Sequence, residues 1–142
     1  MSRNLVASIV LLVAVLSSAC TLLSHEAPLE DVDKAAALFF QRLDKQDYDA
    51  IYNDSAKGFK QNKTREVVTE NLKQLTAYGK VGDFKRIRFP FEGEGKDRMA
   101  SPVYTTIFEQ MAGELTLNFR DEGSEWKLIG FAFKPRGSKA GQ

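Results

Sequence analysis

Apolar positions fall into three successive patterns along the chain. Leu5 to Leu16 is an uncharged run in which Ser8 is the only polar residue. From Val32 to Tyr78 apolar residues recur at helical spacing, and beyond Gly79 they alternate with polar ones. Within the helical stretch, Val32, Ala35, Ala36, Phe39 and Leu43 make one stripe, widened by Phe40. Pro28 and the acids Glu30, Asp31 and Asp33 suit a helix start, so the first helix is expected over about Leu29 to Gln46. Asp47 is placed to cap a second helix that carries Tyr48, Ile51, Tyr52 and Phe59 on one face. Thr64 is placed to cap a third, with Val68, Leu72, Leu75 and Tyr78 inward and Gly79 as its stop.

The alternating stretch predicts four strands. Ile87, Phe89 and Phe91 alternate with Arg86, Arg88 and Pro90, and Pro90 marks an edge or a bulge. Glu92 to Ala100 reads as a charged connection, and Val103 to Met111 is rich in β-branched and aromatic residues. Leu115, Leu117 and Phe119 alternate with Glu114, Thr116, Asn118 and Arg120, the pattern of a half-buried strand. Asp121 to Ser124 then turns into a last strand from Glu125 to Phe133. Three helices followed by four strands imply an α+β domain, with helices packed on one face of an antiparallel sheet. Its expected span is 29–134, followed by a flexible tail at 135–142.

Composition adds mostly exclusions. The 142 residues are 43% hydrophobic and 27% charged, the range of one globular domain. A net charge of +1 gives no global attraction to nucleic acid, and none is expected as a partner. The basic run Lys85-Arg86-Ile87-Arg88 alternates on a strand, so its charges do not share one face. The single Cys cannot form an internal disulfide, and the single His excludes His-paired metal motifs. Glu92, Glu94 and Asp97 lack the spacing of a calcium loop, and Lys96 and Arg98 oppose their charge. Neither a metal nor another cofactor is expected.

The first uncharged run changes that picture. Met1 to Asn4 is a short basic start, and Ser17-Ser18-Ala19-Cys20 closes the run with small residues, the layout of a secretory signal peptide over 1–19. The run is too short to span a bilayer core, which needs about 20 residues. Leu16-Ser17-Ser18-Ala19-Cys20 resembles the lipobox of bacterial lipoproteins. The resemblance implies a diacylglyceryl group on the Cys20 thiol, cleavage before Cys20, and usually acylation of the new amino group. More than one acyl chain is what stable anchoring requires. Thr21, rather than Asp, follows the cysteine, which by the same resemblance implies the periplasmic face of the outer membrane. Residues 20–28 then form a lipidated tether, in which His25 is a solvated spacer. Loss of Arg3 with the signal peptide balances the remaining basic side chains against the 19 acidic ones.

The domain resembles the cone-shaped nuclear-transport-factor-two-like (cystatin-like) superfamily, specifically its small secreted bacterial branches of uncharacterised function. The residues that carry this are Ala36-x-x-Phe39-x-x-x-Leu43-Asp44-Lys45-Gln46-Asp47-Tyr48, then Ile51-Tyr52, and the hairpin Gly123-Ser-Glu-Trp126-Lys127-Leu128. The resemblance implies helices on a curved sheet enclosing a pocket, with Phe39, Tyr48, Tyr52, Tyr104 and Trp126 as the expected lining. Members of this fold can carry a Tyr–carboxylate pair inside the cone. Here Tyr48, Tyr52, Tyr78 or Tyr104 would need Asp44, Asp83 or Glu109 nearby, with a pKa moved toward working pH. Packing alone explains Tyr48 and Tyr52 at i, i+4, and Asp44 and Asp47 read as a helix end and a cap. The expectation is therefore a membrane-anchored envelope lipoprotein, not an enzyme, that binds an envelope protein or a small ligand. An isomerase- or dehydratase-like enzyme and a purely structural role are the rivals.

Overall fold

The computed structural model describes residues 28–136. The expected signal peptide and tether, with Cys20 and His25, and the chain beyond 136 lie outside them. Four helices come first: α1 (Leu29–Asp44), α2 (Tyr48–Asp54), α3 (Lys57–Asn62) and α4 (Arg65–Thr76). Six strands follow: β1 (Val81–Arg88), β2 (Phe91–Glu92), β3 (Met99–Ala100), β4 (Val103–Phe108), β5 (Ala112–Asp121) and β6 (Trp126–Arg136), with a 3-10 turn at Gly95–Asp97. The α+β class is as the sequence implies, and the helices pack on a curled antiparallel half-barrel.

Helix α1 buries the predicted stripe of Val32, Ala36, Phe39, Phe40 and Leu43. It stops two residues earlier than expected, because Gln46 takes a left-handed conformation at φ 56°. The Asp47 N–H then bonds the Arg42 carbonyl at 2.9 Å and the Gln46 N–H bonds that of Leu43 at 3.0 Å, the paired bonds of a Schellman exit. Asp47 caps α2 through the Ala50 N–H at 3.2 Å, and Thr64 caps α4 through that of Val67 at 3.4 Å.

The expected second helix is two helices. Ser55 and Ala56 are extended, at ψ 159° and 146°. The Ala56 N–H leaves the helix to donate to the Leu128 carbonyl of β6 at 2.9 Å. Ser55 Oγ meanwhile donates to the Ile51 carbonyl at 2.7 Å. Phe59 therefore sits on a separate helix from Ile51.

Strand β5 organises the sheet. One of its edges carries β6 along its length, and the other is shared by β4 and then β3. Strands β1 and β2 flank β4 and β3. Leu115, Leu117 and Phe119 of β5 are buried under the helices, as their alternation predicts. Gly113 continues that face, where a Cβ would come within 2.5 Å of the Lys134 carbonyl and the Phe133 ring. Strand β6 runs to Arg136, two residues past the expected end of the domain, because Gly113 and Ala112 still pair with Pro135 and Arg136.

Strand β1 corrects the sequence reading. It begins at Val81, and its partner register slips between Val81 and Asp83 and between Arg86 and Arg88. The second slip makes Ile87 an extra residue, 42% exposed, and breaks the alternation expected there. Phe84 and Arg86 face the helices instead. Phe84 stacks on Phe40 with ring centroids 3.9 Å apart.

Candidate functional site: a groove beside α1

Alongside its buried stripe, α1 carries a second row at helical spacing: Asp31, then Lys34 and Ala35, then Leu38 and Arg42. That row faces the tip of the β5–β6 hairpin across a groove of about 320 Å³. Phe39, Ile51, Phe119 and Leu128 form its apolar floor, and Leu38 and Trp126 stand at its sides. The hairpin is held firmly. Asp121, only 8% exposed, accepts from Arg98 Nε at 2.8 Å and from the Gly123 N–H at 2.9 Å. The Arg98 guanidinium also lies 5.6 Å over the Trp126 ring, whose other neighbour is Phe91. Trp126 is thus positioned by a loop far from it in sequence.

The groove's charges satisfy one another. Asp54 accepts from Arg42 Nη1 at 2.8 Å and from Lys127 Nζ at 2.6 Å, and Lys127 also reaches Glu125 at 2.7 Å. Lys34 pairs with Glu30 at 2.8 Å and with Asp31 at 3.7 Å. Partial burial works to raise the Asp54 pKa, but the ammonium and guanidinium bonded to it outweigh that and hold it below its ordinary value. The Lys127 ammonium is held above its ordinary value, chiefly by its bond to Asp54.

Of the five residues expected to line the pocket, the structure brings Phe39 and Trp126 to this groove and takes the three tyrosines elsewhere. Tyr48 shares a 2.6 Å hydrogen bond with Thr76 Oγ1, tying α2 to α4. Tyr52 donates to the Lys63 carbonyl at 3.1 Å under the Arg65 guanidinium, 4.8 Å from its ring. Tyr104 is buried against Phe40 and donates to Asp33 Oδ1 at 3.2 Å. Arg86 grips the same carboxylate through Nε at 2.9 Å and Nη2 at 3.0 Å. Burial first, then the Asp33 charge, pushes the Tyr104 phenol well above the usual tyrosine range despite Arg86.

None of the carboxylates named from the sequence as tyrosine partners takes that part. Asp44 accepts from the Val81 N–H at 3.3 Å, Glu109 covers Gly79, and Asp83 lies opposite Ile107. Asp33, named from the sequence only as an acid of the helix start, takes that part instead, with partners 53 and 71 residues away. Lys34, Leu38 and Arg42 were within reach of the sequence, since Leu38 stands outside the main stripe at helical spacing from both. Among the described residues no three His, Cys, Asp or Glu side chains converge as metal ligands, and no helix is long and apolar enough to cross a membrane.

No family model and no curated protein matches the chain. Among solved structures, Bd1075 of Bdellovibrio bacteriovorus superposes over 77% of this chain with a TM-score of 0.51 at 14% identity. The chain covers 41% of that protein's length. At this identity the similarity is one of fold.

Proposed function

We propose that this chain is an envelope lipoprotein, anchored through acyl chains on Cys20, whose domain is a non-catalytic binding module for a neutral, largely apolar ligand. The observation that carries the binding reading is the groove beside α1: an apolar floor under a rim whose cations are already paired with carboxylates. Such a rim offers no uncompensated charge to a ligand, while the floor rewards burial at about 25 cal/mol per Å² of apolar surface. Proton transfer near neutral pH calls for groups tuned toward 7. The groove's Asp54 and the Tyr104 phenol are both shifted away from it.

A Tyr–carboxylate enzyme is the second reading, and the Tyr104–Asp33 bond is what favours it. Against it stand the Arg86 clamp on that carboxylate and the 3% exposure of Tyr104.

Trp126, the only tryptophan in the chain, reports on the groove directly. Titrating the full chain with neutral amphiphiles should shift its emission saturably, and Leu38→Asp should weaken that response. Turnover of a substrate that is lost in Tyr104→Phe would overturn the binding reading. For the anchor, the wild-type chain should carry acyl mass that Cys20→Ala lacks. A wild-type product starting downstream of Cys20 would defeat it.

A further inference from the structure

A second hollow, of about 420 Å³, lies where the edge of β6 away from β5 faces α3 and α4. Its charged lining is Lys63 and Arg120 alone, and no Asp or Glu lines it. Its arginine differs from the other described arginines. Of the seven arginines between residues 28 and 136, six are ion-paired with carboxylates. The exception is Arg120, whose only polar contact among the described residues is Met99 Sδ at 4.0 Å. Lys63 makes no ion pair among those residues either, and the Asn71 amide at the same hollow has no hydrogen-bond partner there. Asn62 also lines the hollow, its amide donating to the Gly58 carbonyl at 2.8 Å, and Phe59, Ile129 and Phe131 are half-buried apolar walls.

We propose that this hollow binds the carboxylate of a small amphiphilic acid. Arg120 carries a planar fork, held by no carboxylate among the described residues, that can swing from Met99 to match a carboxylate with two parallel bonds, and Lys63 adds a compact second charge. The Asn71 amide supplies a neutral donor, and the three apolar side chains cover the body of the ligand. With two cations and three apolar walls, the site suits a single negative head on an apolar body better than a polyanion. The scaffold is preformed. Tyr52 holds the Lys63 carbonyl at 3.1 Å. On β6, Leu128 opposes Phe119 and Gly130 opposes Asn118, which leaves Ile129 as a bulge that opens the edge beside Arg120. The site is separate from the groove beside α1, whose cations are all paired.

The test uses the full-length ¹⁵N-labelled chain in non-ionic detergent, with 3-phenylpropionate as the probe. Its neutral amide and inorganic phosphate are the comparisons. The acid should shift the Lys63, Asn71 and Gly130 backbone signals saturably, and its amide should bind about tenfold more weakly or worse. Arg120→Gln should weaken the acid by a similar factor while leaving the melting temperature and Trp126 emission unchanged. Lys63→Gln, which removes a point charge rather than a two-bond fork, should cost about threefold. Equal binding of acid and amide, an unaffected Arg120→Gln, or no saturable shift at about 10 mM probe would each overturn the proposal. So would phosphate alone producing the same shifts as tightly, since the apolar walls would then contribute nothing.

Discussion

At the scale of single residues, the clearest anomaly is Thr106. It is fully buried on β4 between Phe84 and Gly113, and its hydroxyl has no hydrogen-bond partner. A buried hydroxyl without a partner carries its desolvation penalty uncompensated. Thr106→Val keeps the branched shape and removes that group, so it should raise stability by about 1 kcal/mol in urea titration. A destabilised variant would instead show that the hydroxyl is satisfied by trapped water. Asp54 makes the opposite case, a carboxylate with two cationic partners. Its folded pKa lies below the unfolded one, so its contribution is present above about pH 4 and fades as pH falls through the folded value. Lys127 is raised, so its share persists to about pH 10 and is lost as pH rises through its folded pKa. The Asp54 side chain is 39% exposed, which limits the effect by solvent screening. Asp54→Asn should therefore cost about 1 kcal/mol at pH 7. The gap from wild type should narrow as the pH falls below about 4 and close once it drops below the folded pKa, where Asp54 is neutral in both states. A gap that stays constant with pH would mean that shape rather than charge matters at this position.

At the scale of elements, the caps are a local matter and can be ranked. Asp47 brings a charged oxygen to 3.2 Å from its N–H, and Thr64 a hydroxyl to 3.4 Å. Asp47→Ala should cost about 1 kcal/mol and Thr64→Ala about 0.5 kcal/mol, both read from denaturation midpoints. The reverse order would count against capping as the main role of Asp47. Both caps were legible in the sequence because a cap is made within three residues of its helix. The alternation of Leu115, Leu117 and Phe119 was legible for the same reason. What escaped depended on partners distant in sequence or on unusual backbone. The exit of α1 uses Gln46 where glycine is the usual signal. The break between α2 and α3 depends on a bond to Leu128, 72 residues away. The facing of β1 is set by bulges, which period-two reading cannot foresee. The candidate groove shows the same division. Phe39 and Trp126 were legible as large aromatics on helix and hairpin, whereas Asp54 and Lys127 become neighbours only when α2 meets the start of β6.

At the scale of the molecule, the helices and the sheet depend on one another for burial. The inward faces of α1 and α4 join Leu115, Leu117, Phe119 and Leu128 of the sheet in one apolar cluster. None of the described helices has a separate core, and α2 and α3 are each too short to persist alone in water. Polar bonds tie the same parts together: Arg86 and Tyr104 of the sheet hold Asp33 of α1, and Lys127 of β6 holds Asp54 of α2. Helices and sheet should therefore unfold together. Trp126 lies at the start of β6 and reports on the sheet, whereas far-UV circular dichroism near 222 nm follows chiefly the helices. The two signals should give one coincident urea transition. Leu43 provides the harder test, because it is fully buried on α1 yet distant from Trp126 in sequence. Truncation by Leu43→Ala removes apolar contacts and leaves a cavity, at a cost of about 2–5 kcal/mol. Both signals should move to lower urea by the same amount, although the substitution touches only a helix. A helical signal lost at lower urea than the Trp126 signal would show that the sheet stands without its helices. The single cluster would then not be one cooperative unit.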